Sequence, residues 1–208
     1  MPVEIFLAPN LKDVIRKPVS AVETLYKEEV YKYQGEGISA AEFANQVKDI
    51  RSDMYEIKAK FTLNPTEDKF SSGFYVRYNP TENAIGTERT GIVFGRENGK
   101  QEIFVDRSQS SCLTYVQKSD TWHLGSNERE YDVTIYVDRS QLEIYINDIE
   151  QFTTRIYPKY GDSDYISAFD FNGGMRITEC TIRTMKGMLK DDVVPAYYEN
   201  TGNLAEAI

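Results

Sequence analysis

Histidine and cysteine are nearly absent from this chain: His123 is its one histidine, and Cys112 and Cys180 are its two cysteines. A His/Cys zinc site or a Ser-His-Asp triad would have to be assembled around a single imidazole, so neither a metal nor a catalytic triad is expected, and no cofactor is implied. The cysteines could form one disulfide or remain two buried thiols; a domain of this size needs no covalent staple, which favours thiols. Positive charge is also short, with 24 Lys and Arg against 33 Asp and Glu and a formal net charge of −9. Without a clustered basic stripe there is no electrostatic footprint for a phosphate backbone, which argues against nucleic-acid binding, while the surplus of acid aids solubility. Long apolar runs are missing too. None approaches the ~20 residues of a membrane helix, so no membrane partner is expected. The opening Met-Pro-Val-Glu-Ile-Phe-Leu-Ala, with an acid inside a very short apolar run and no basic flank, lacks the form of a secretory signal, and localisation stays open.

What the chain does have is aromatic residues: 15 Tyr and 10 Phe beside one Trp, in 208 residues that are 40% hydrophobic. That is enough for a substantial core in one large or two small domains, and Tyr-rich β structure is the first expectation. Residues 3–7 read as a short strand. Leu11 to Tyr33 reads as a connector with extended pieces around Lys17-Pro18-Val19, where Pro18 opposes a helix. Ser39-Ala-Ala-Glu42 has the spacing of a capping box and puts Phe43, Val47 and Ile50 on one side of a helix over about 40–51. From Tyr55 the period becomes two: Tyr55, Ile57, Ala59 and Phe61 alternate with Glu56, Lys58 and Lys60. Further strands are expected near 73–78, 90–95, 101–106, 112–117, 131–137, 142–147, 152–157, 164–170 and 175–185. Short strands at regular spacing after one helix predict an all-β fold, a two-sheet antiparallel sandwich of the jelly-roll or concanavalin-like kind. The expected division is a connector over 1–33 and a sandwich over 34–208.

Residues 131–147 hold the most information. With Asp138-Arg139-Ser140-Gln141 as the loop, Val137 faces Leu142, Tyr136 faces Glu143, Ile135 faces Ile144 and Thr134 faces Tyr145. Val133, Ile135, Val137, Leu142, Ile144 and Ile146 then form a core face. The opposite face collects Thr134, Tyr136, Glu143, Tyr145 and Asn147, and the next strand adds Arg155 and Tyr157. Rings beside a carboxylate and a guanidinium suit a sugar, whose C–H surfaces stack while its hydroxyls hydrogen-bond. An ordinary outer sheet face with cross-strand pairs would look the same. Ile103-Phe-Val-Asp-Arg-Ser-Gln109 echoes Ile135-Tyr-Val-Asp-Arg-Ser-Gln141 at all but one position; either a repeated turn solution or a ligand contact would account for it.

This hairpin, Ile135 to Asp148, followed by Thr154-Arg-Ile-Tyr-Pro158, resembles the C-terminal β-sandwich module of glycoside hydrolase family 32, the invertase, inulinase and levanase group. That family carries V-D-R-S-S-V-E-V-F-V-N-D-G and then S-R-I-Y-P. Ile149 stands where the family has Gly, which predicts a wider turn. Lys17-Pro18-Val19 to Leu25 looks like the family's connector, Phe74-Tyr-Val-Arg77 like the strand that carries its G-x-x-x-R pattern, and Ile103 to Ser108 like its first D-R-S strand. The family's chemistry resides in a five-bladed propeller with W-M-N-D-P-N-G, R-D-P and E-C motifs. The first two are missing here, and the E-C of Glu179-Cys180 falls in an alternating strand, so no catalytic residue is expected.

The resemblance implies two roles. One is a non-catalytic module binding a fructose-containing saccharide, as the related family 66 carbohydrate-binding modules do. Glu143 and Arg155 would then be hydroxyl partners, Tyr136, Tyr145 and Tyr157 stacking groups, and Arg77, Asp138 and Arg139 the rim. The other is a structural module that packs on a propeller domain or on a second copy of itself, with segment 1–33 at the propeller junction.

Overall fold

The computed structural model describes residues 2–8, 12, 14–83, 86–97, 99–110, 122–123 and 129–187. Strands β1 (Val3–Leu7) and β2 (Val14–Pro18) pair as a separate ribbon, and a 3-10 helix over Ser20–Leu25 follows. Next come β3 (Tyr26–Ser39), α1 (Ala40–Val47), β4 (Met54–Thr62), β5 (Phe70–Tyr78) and the two-residue pair β6 (Glu82–Asn83) and β7 (Gly86–Thr87). The remainder is β8 (Arg89–Glu97), β9 (Lys100–Gln109), β10 (Trp122–His123), β11 (Glu130–Asp138), β12 (Gln141–Ile146), β13 (Glu150–Arg155), β14 (Tyr165–Phe171) and β15 (Arg176–Met185). Two antiparallel sheets face each other: one of six strands in the order β13-β12-β11-β4-β15-β3, the other of five in the order β10-β9-β8-β5-β14. The all-β sandwich with one short helix is thus the observed fold. The strand expected at 112–117, and Cys112 with it, lie outside the described residues.

The alternating pattern explains which face meets the core. Tyr55, Ile57, Ala59 and Phe61 of β4 point inward, as do Val133, Ile135 and Val137 of β11 and Leu142, Ile144 and Ile146 of β12. The β11–β12 ladder has the expected register, Val137 opposite Leu142 and Tyr136 opposite Glu143, and it extends to Asp138 opposite Gln141, so the turn is only Arg139-Ser140. The next turn corrects an expectation. Ile149 does not widen it: Asn147 and Asp148 both adopt positive φ (51° and 58°), and the Ile149 N–H donates to the Ile146 carbonyl at 3.0 Å. Asn and Asp tolerate this left-handed geometry, so no glycine is needed after them.

Aromatic rings lock the two sheets together. Phe61 from the six-stranded sheet meets Phe74 and Phe94 of the other sheet edge-on, with centroids 5.8 and 5.0 Å apart, and stacks on Tyr131 at 5.2 Å. Helix α1 closes one side of the sandwich, against the edge strands β3 and β14. Its N-terminus is the expected capping box, Ser39 with Glu42, and Phe43 and Val47 are buried. The helix is shorter than expected, ending in a turn where the Ile50 N–H bonds the Val47 carbonyl. On the opposite side Arg107 ties the sheets, donating from Nη1 to the Thr154 hydroxyl and the Arg155 carbonyl at 3.2 Å each. The division expected between residues 33 and 34 falls inside β3, one continuous strand paired with β15 from Tyr26 to Ser39.

Phe61 is the keystone of the ring cluster, so Phe61→Ala should lower the unfolding free energy by about 3–5 kcal/mol, the cost of an unrelaxed aromatic cavity. Urea unfolding followed by tyrosine fluorescence measures it, and a loss under about 1 kcal/mol would contradict this packing.

Candidate functional site

The outer face of the six-stranded sheet is where the sequence placed its sugar-binding residues. Ladder registers lay out one row across it: Glu29 of β3, Arg183 of β15, Glu56 of β4, Tyr136 of β11, Glu143 of β12 and Thr153 of β13. The expected trio does share this face, yet Tyr136, Glu143 and Tyr145 are only 5%, 1% and 3% exposed. Val22, Val3, Val19 and Leu25 of the N-terminal segment lie over it, and with Tyr26, Met54 and Met185 they make a second hydrophobic cluster around the two tyrosines.

Beneath this roof the polar groups satisfy one another. Glu143 accepts from Gln141 Nε2 at 2.7 Å and from the Tyr145 hydroxyl at 3.1 Å. The centre, however, is Glu56, which alternation had assigned only to the polar side of β4. Its Oε1 accepts from the Tyr26 hydroxyl at 2.7 Å and the Tyr136 hydroxyl at 2.9 Å, and its Oε2 accepts from Arg183 Nη1 at 2.9 Å. Sequence reasoning passed over Glu56, Tyr26 and Arg183. The available signal was that Glu56 and Arg183 flank apolar alternation on strands that can neighbour each other, but which strands do so is a matter of topology.

Burial, reinforced by the hydrogen bond to Glu56, pushes the Tyr26 phenol up from 10.0 to about 12. Burial and the adjacent carboxylates likewise raise Tyr136, beside Glu56, and Tyr145, beside Glu143. These phenols are held neutral as donors to the two carboxylates.

The remaining expected residues separate from this cluster. Arg155 shares the row of Gln141 and Asp138 but donates to the Ser140 hydroxyl at 3.0 Å, with Gln141 standing between it and Glu143. Tyr157 is exposed. Arg77 belongs to the five-stranded sheet, at a β5 residue with φ of 48°, and is buried. Its Nη1 lies 4.0 Å from Asp53 Oδ2, and Arg139 Nε lies 3.9 Å from the same oxygen, so Arg77 and Arg139 meet at one end of the sandwich beside Asp138. Both copies of the D-R-S echo act as ties. Asp106 accepts from the Ser108 N–H at 2.9 Å next to the Arg107 bridge, and the Arg139 N–H donates to the Asp53 carbonyl at 2.8 Å. Glu179 pairs with Lys60 at 3.0 Å on the surface, while Cys180 is a free thiol in the core whose burial raises its pKa.

Comparison with known proteins decides the family. The family described as glycosyl hydrolases family 32 C terminal matches residues 21–184. The chain belongs to this family. Levanase from Bacillus subtilis (strain 168) is 30% identical over 177 residues, which cover 83% of this chain and 24% of the levanase. The family 32 C-terminal sandwich also superposes on solved enzymes. Sucrose-6-phosphate hydrolase from Lactobacillus gasseri has a TM-score of 0.60 at 18% identity, covering 90% of this chain and 33% of that one. Fructan 1-exohydrolase IIa from Cichorium intybus has 0.59 at 17%, covering 89% and 40%. At these identities the structures show the shared fold. The family 32 C-terminal sandwich therefore spans roughly a quarter to two fifths of the length of these relatives.

Tyr26 gives this site a pH signature. Its folded pKa lies above its unfolded value, so its contribution to stability is complete below pH 10.0 and is lost as pH rises through about 12. In Tyr26→Phe the fall of stability across that window should become shallower than in the parent chain, as read by melting temperature against pH; an unchanged slope would remove Tyr26 from the network.

Proposed function

We propose that this chain is the non-catalytic sandwich module of a fructan-acting glycosidase and that it works by docking on the catalytic propeller, whether that propeller lies on the same polypeptide or another. The observation that supports this most directly is the β1–β2 ribbon. It stands outside both main sheets, and its consecutive residues Ile5, Phe6 and Leu7 are 69%, 48% and 61% exposed. Val3 of the same strand packs into the roof over Tyr136 and Tyr145, whereas these three stay largely open to solvent beside their ladder partners Arg16, Ile15 and Val14. Arg16 carries the ribbon to the β12–β13 turn: it is Ile5's ladder partner, and it donates through its backbone N–H to the Asp148 carbonyl at 2.8 Å and through Nη1 to the Ile149 carbonyl at 2.7 Å. Exposed Ile149 thereby joins the same region, and exposed large apolar side chains grouped in this way support an interface. That the match covers only 24% of the levanase supports reading the covering surface as that of another domain.

A sugar site on the six-stranded sheet, built from Glu143, Arg155, Tyr136, Tyr145 and Tyr157, has weaker support. Its carboxylate and two of its rings are roofed, and only Arg155 and Tyr157 reach solvent.

The docking reading is tested by mixing the purified chain with a separately produced family 32 propeller and following association by sedimentation velocity. Complex formation is expected, and the double variant Phe6→Asp, Leu7→Asp should weaken it at least about tenfold while the melting temperature stays within about 2 °C. No association, or association indifferent to the double variant, counts against the proposal. The chain alone should turn over neither sucrose, inulin nor levan; sustained turnover after repurification would show a catalytic centre. Glu143→Ala should destabilise the fold and leave saccharide affinity unchanged, whereas loss of levan binding in folded Glu143→Ala and Arg155→Ala would favour the sugar site instead.

A further inference from the structure

The turn from β14 into β15, Asn172 to Met175, is built around a chemically labile pair of residues. Asn172 is exposed and has a φ of 58°, a left-handed backbone that asparagine tolerates better than most residues. Gly173 has no room for a side chain, because a Cβ there would collide with Ser72 Oγ and Asp170 Oδ1. Gly174, with a φ of 60°, is pressed in the same way against the Asn64 carbonyl. Local geometry thus favours asparagine followed by glycine. In that pair the glycine nitrogen, unhindered by a side chain of its own, can attack the asparagine side-chain amide. The chain has one other such pair, Asn98-Gly99.

A single carboxylate organises this turn. Asp170 Oδ1 accepts from the Gly173 N–H at 3.1 Å and from the Ser72 hydroxyl, and Asp170 Oδ2 accepts from the Met175 N–H at 3.3 Å. The Thr66 N–H donates to the Asn172 carbonyl at 3.2 Å. Both polar groups of the peptide between Asn172 and Gly173 are therefore held. Attack on the side chain requires that peptide's nitrogen to give up its proton and approach Asn172 Cγ. The Asp170 carboxylate opposes this twice: its hydrogen bond keeps the proton in place, and its negative charge disfavours negative charge on the nitrogen beside it.

We propose that Asn172 is a site of spontaneous deamidation and that Asp170 guards it: the closed turn suppresses the reaction, and local opening releases it. In the opened turn the Gly173 nitrogen bonds to Asn172 Cγ, the Cγ–Nδ2 bond breaks, and the Gly173 amide proton leaves with Nδ2 as ammonia. Water then opens the cyclic imide, adding hydroxyl to one carbonyl carbon and a proton to the nitrogen. Opening at Cγ leaves an aspartate in ordinary linkage. Opening at the main-chain carbonyl carbon leaves an isoaspartate, whose main chain runs through Cγ and is longer by a methylene. Gly173 and Gly174 leave no space toward Ser72 and Asn64, so the lengthened chain does not refit the turn. Each such event loosens the β14–β15 connection irreversibly.

The test incubates the full chain at mildly alkaline pH, folded in one arm and unfolded in urea in the other. Peptide mapping by mass spectrometry, with enzymatic labelling of isoaspartate, follows Asn172 and Asn98 separately. Folded chain should convert Asn172 at least about tenfold more slowly than unfolded chain, the ratio that a hydrogen bond to a charged group implies. Asp170→Asn keeps the side chain's size and removes its charge; it should speed conversion at Asn172 in the folded chain and leave Asn98 unchanged. Asp170→Ala should speed it further, and if that variant does not fold, Asp170→Asn decides. Equal rates at Asn172 in the folded and unfolded arms overturn the guarded turn, and no conversion there in urea overturns the site itself. Conversion that is unchanged or slower in the folded Asp170 variants overturns the role of Asp170.

Discussion

Glu56 sits almost fully buried in the middle strand of a six-stranded sheet, on the side away from the core. A carboxylate removed from water is tolerable only with good partners. Arg183 comes from the adjacent strand, Tyr136 from the strand on the other side, and Tyr26 from the start of the edge strand β3. Much else depends on this arrangement. Tyr26 reaches Glu56 because the 3-10 helix ends at Leu25 and turns directly into β3; the same helix places Val22 over Tyr136 and Tyr145. The outer face is thereby a second small core with a polar centre, not a wetted surface.

The roof has a consequence for the segment that supplies it. Val3 packs into this cluster with Val19, Val22 and Leu25, while further along the same strand Ile5, Phe6 and Leu7 are exposed. The two faces of the sandwich differ in kind. One is closed by the N-terminal segment and presents an apolar ribbon, which suits contact with another folded domain. The other presents mostly glycine and serine on its two central strands, with Phe169, Phe171 and Phe104 on the strands beside them.

Much of this was legible in the chain. Period-two alternation identified the strands and the inward residues of β4, β11 and β12, because a half-buried strand has to alternate. The β11–β12 register could be read from turn chemistry and pattern together, and the Ser39-Glu42 box marked the helix start. What alternation leaves open lies beyond the single strand. Tyr136, Glu143 and Tyr145 were assigned correctly to the non-core face, but alternation tells only which face a residue occupies and not what lies on top of that face. Segment 11–33 reads as a connector because it lacks strong periodicity, yet Tyr26 onward pairs with β15, a partner far away in the chain. The turn at Asn147-Asp148 was misjudged by comparison with a glycine, although Asn and Asp themselves accept positive φ.

The sequence by itself determined the fold class, the core faces, the central hairpin and, through that hairpin's residues, the family. These are consequences of local periodicity and turn preference, which act over a few residues. Only the tertiary structure decided which face is roofed, that Glu56 is the hub of the buried polar network, and that Phe171, Ser71, Gly95 and Glu102 stand in one row across four strands. Those depend on strand order and on the path of the N-terminal segment, where residues meet through contacts with no fixed spacing along the chain.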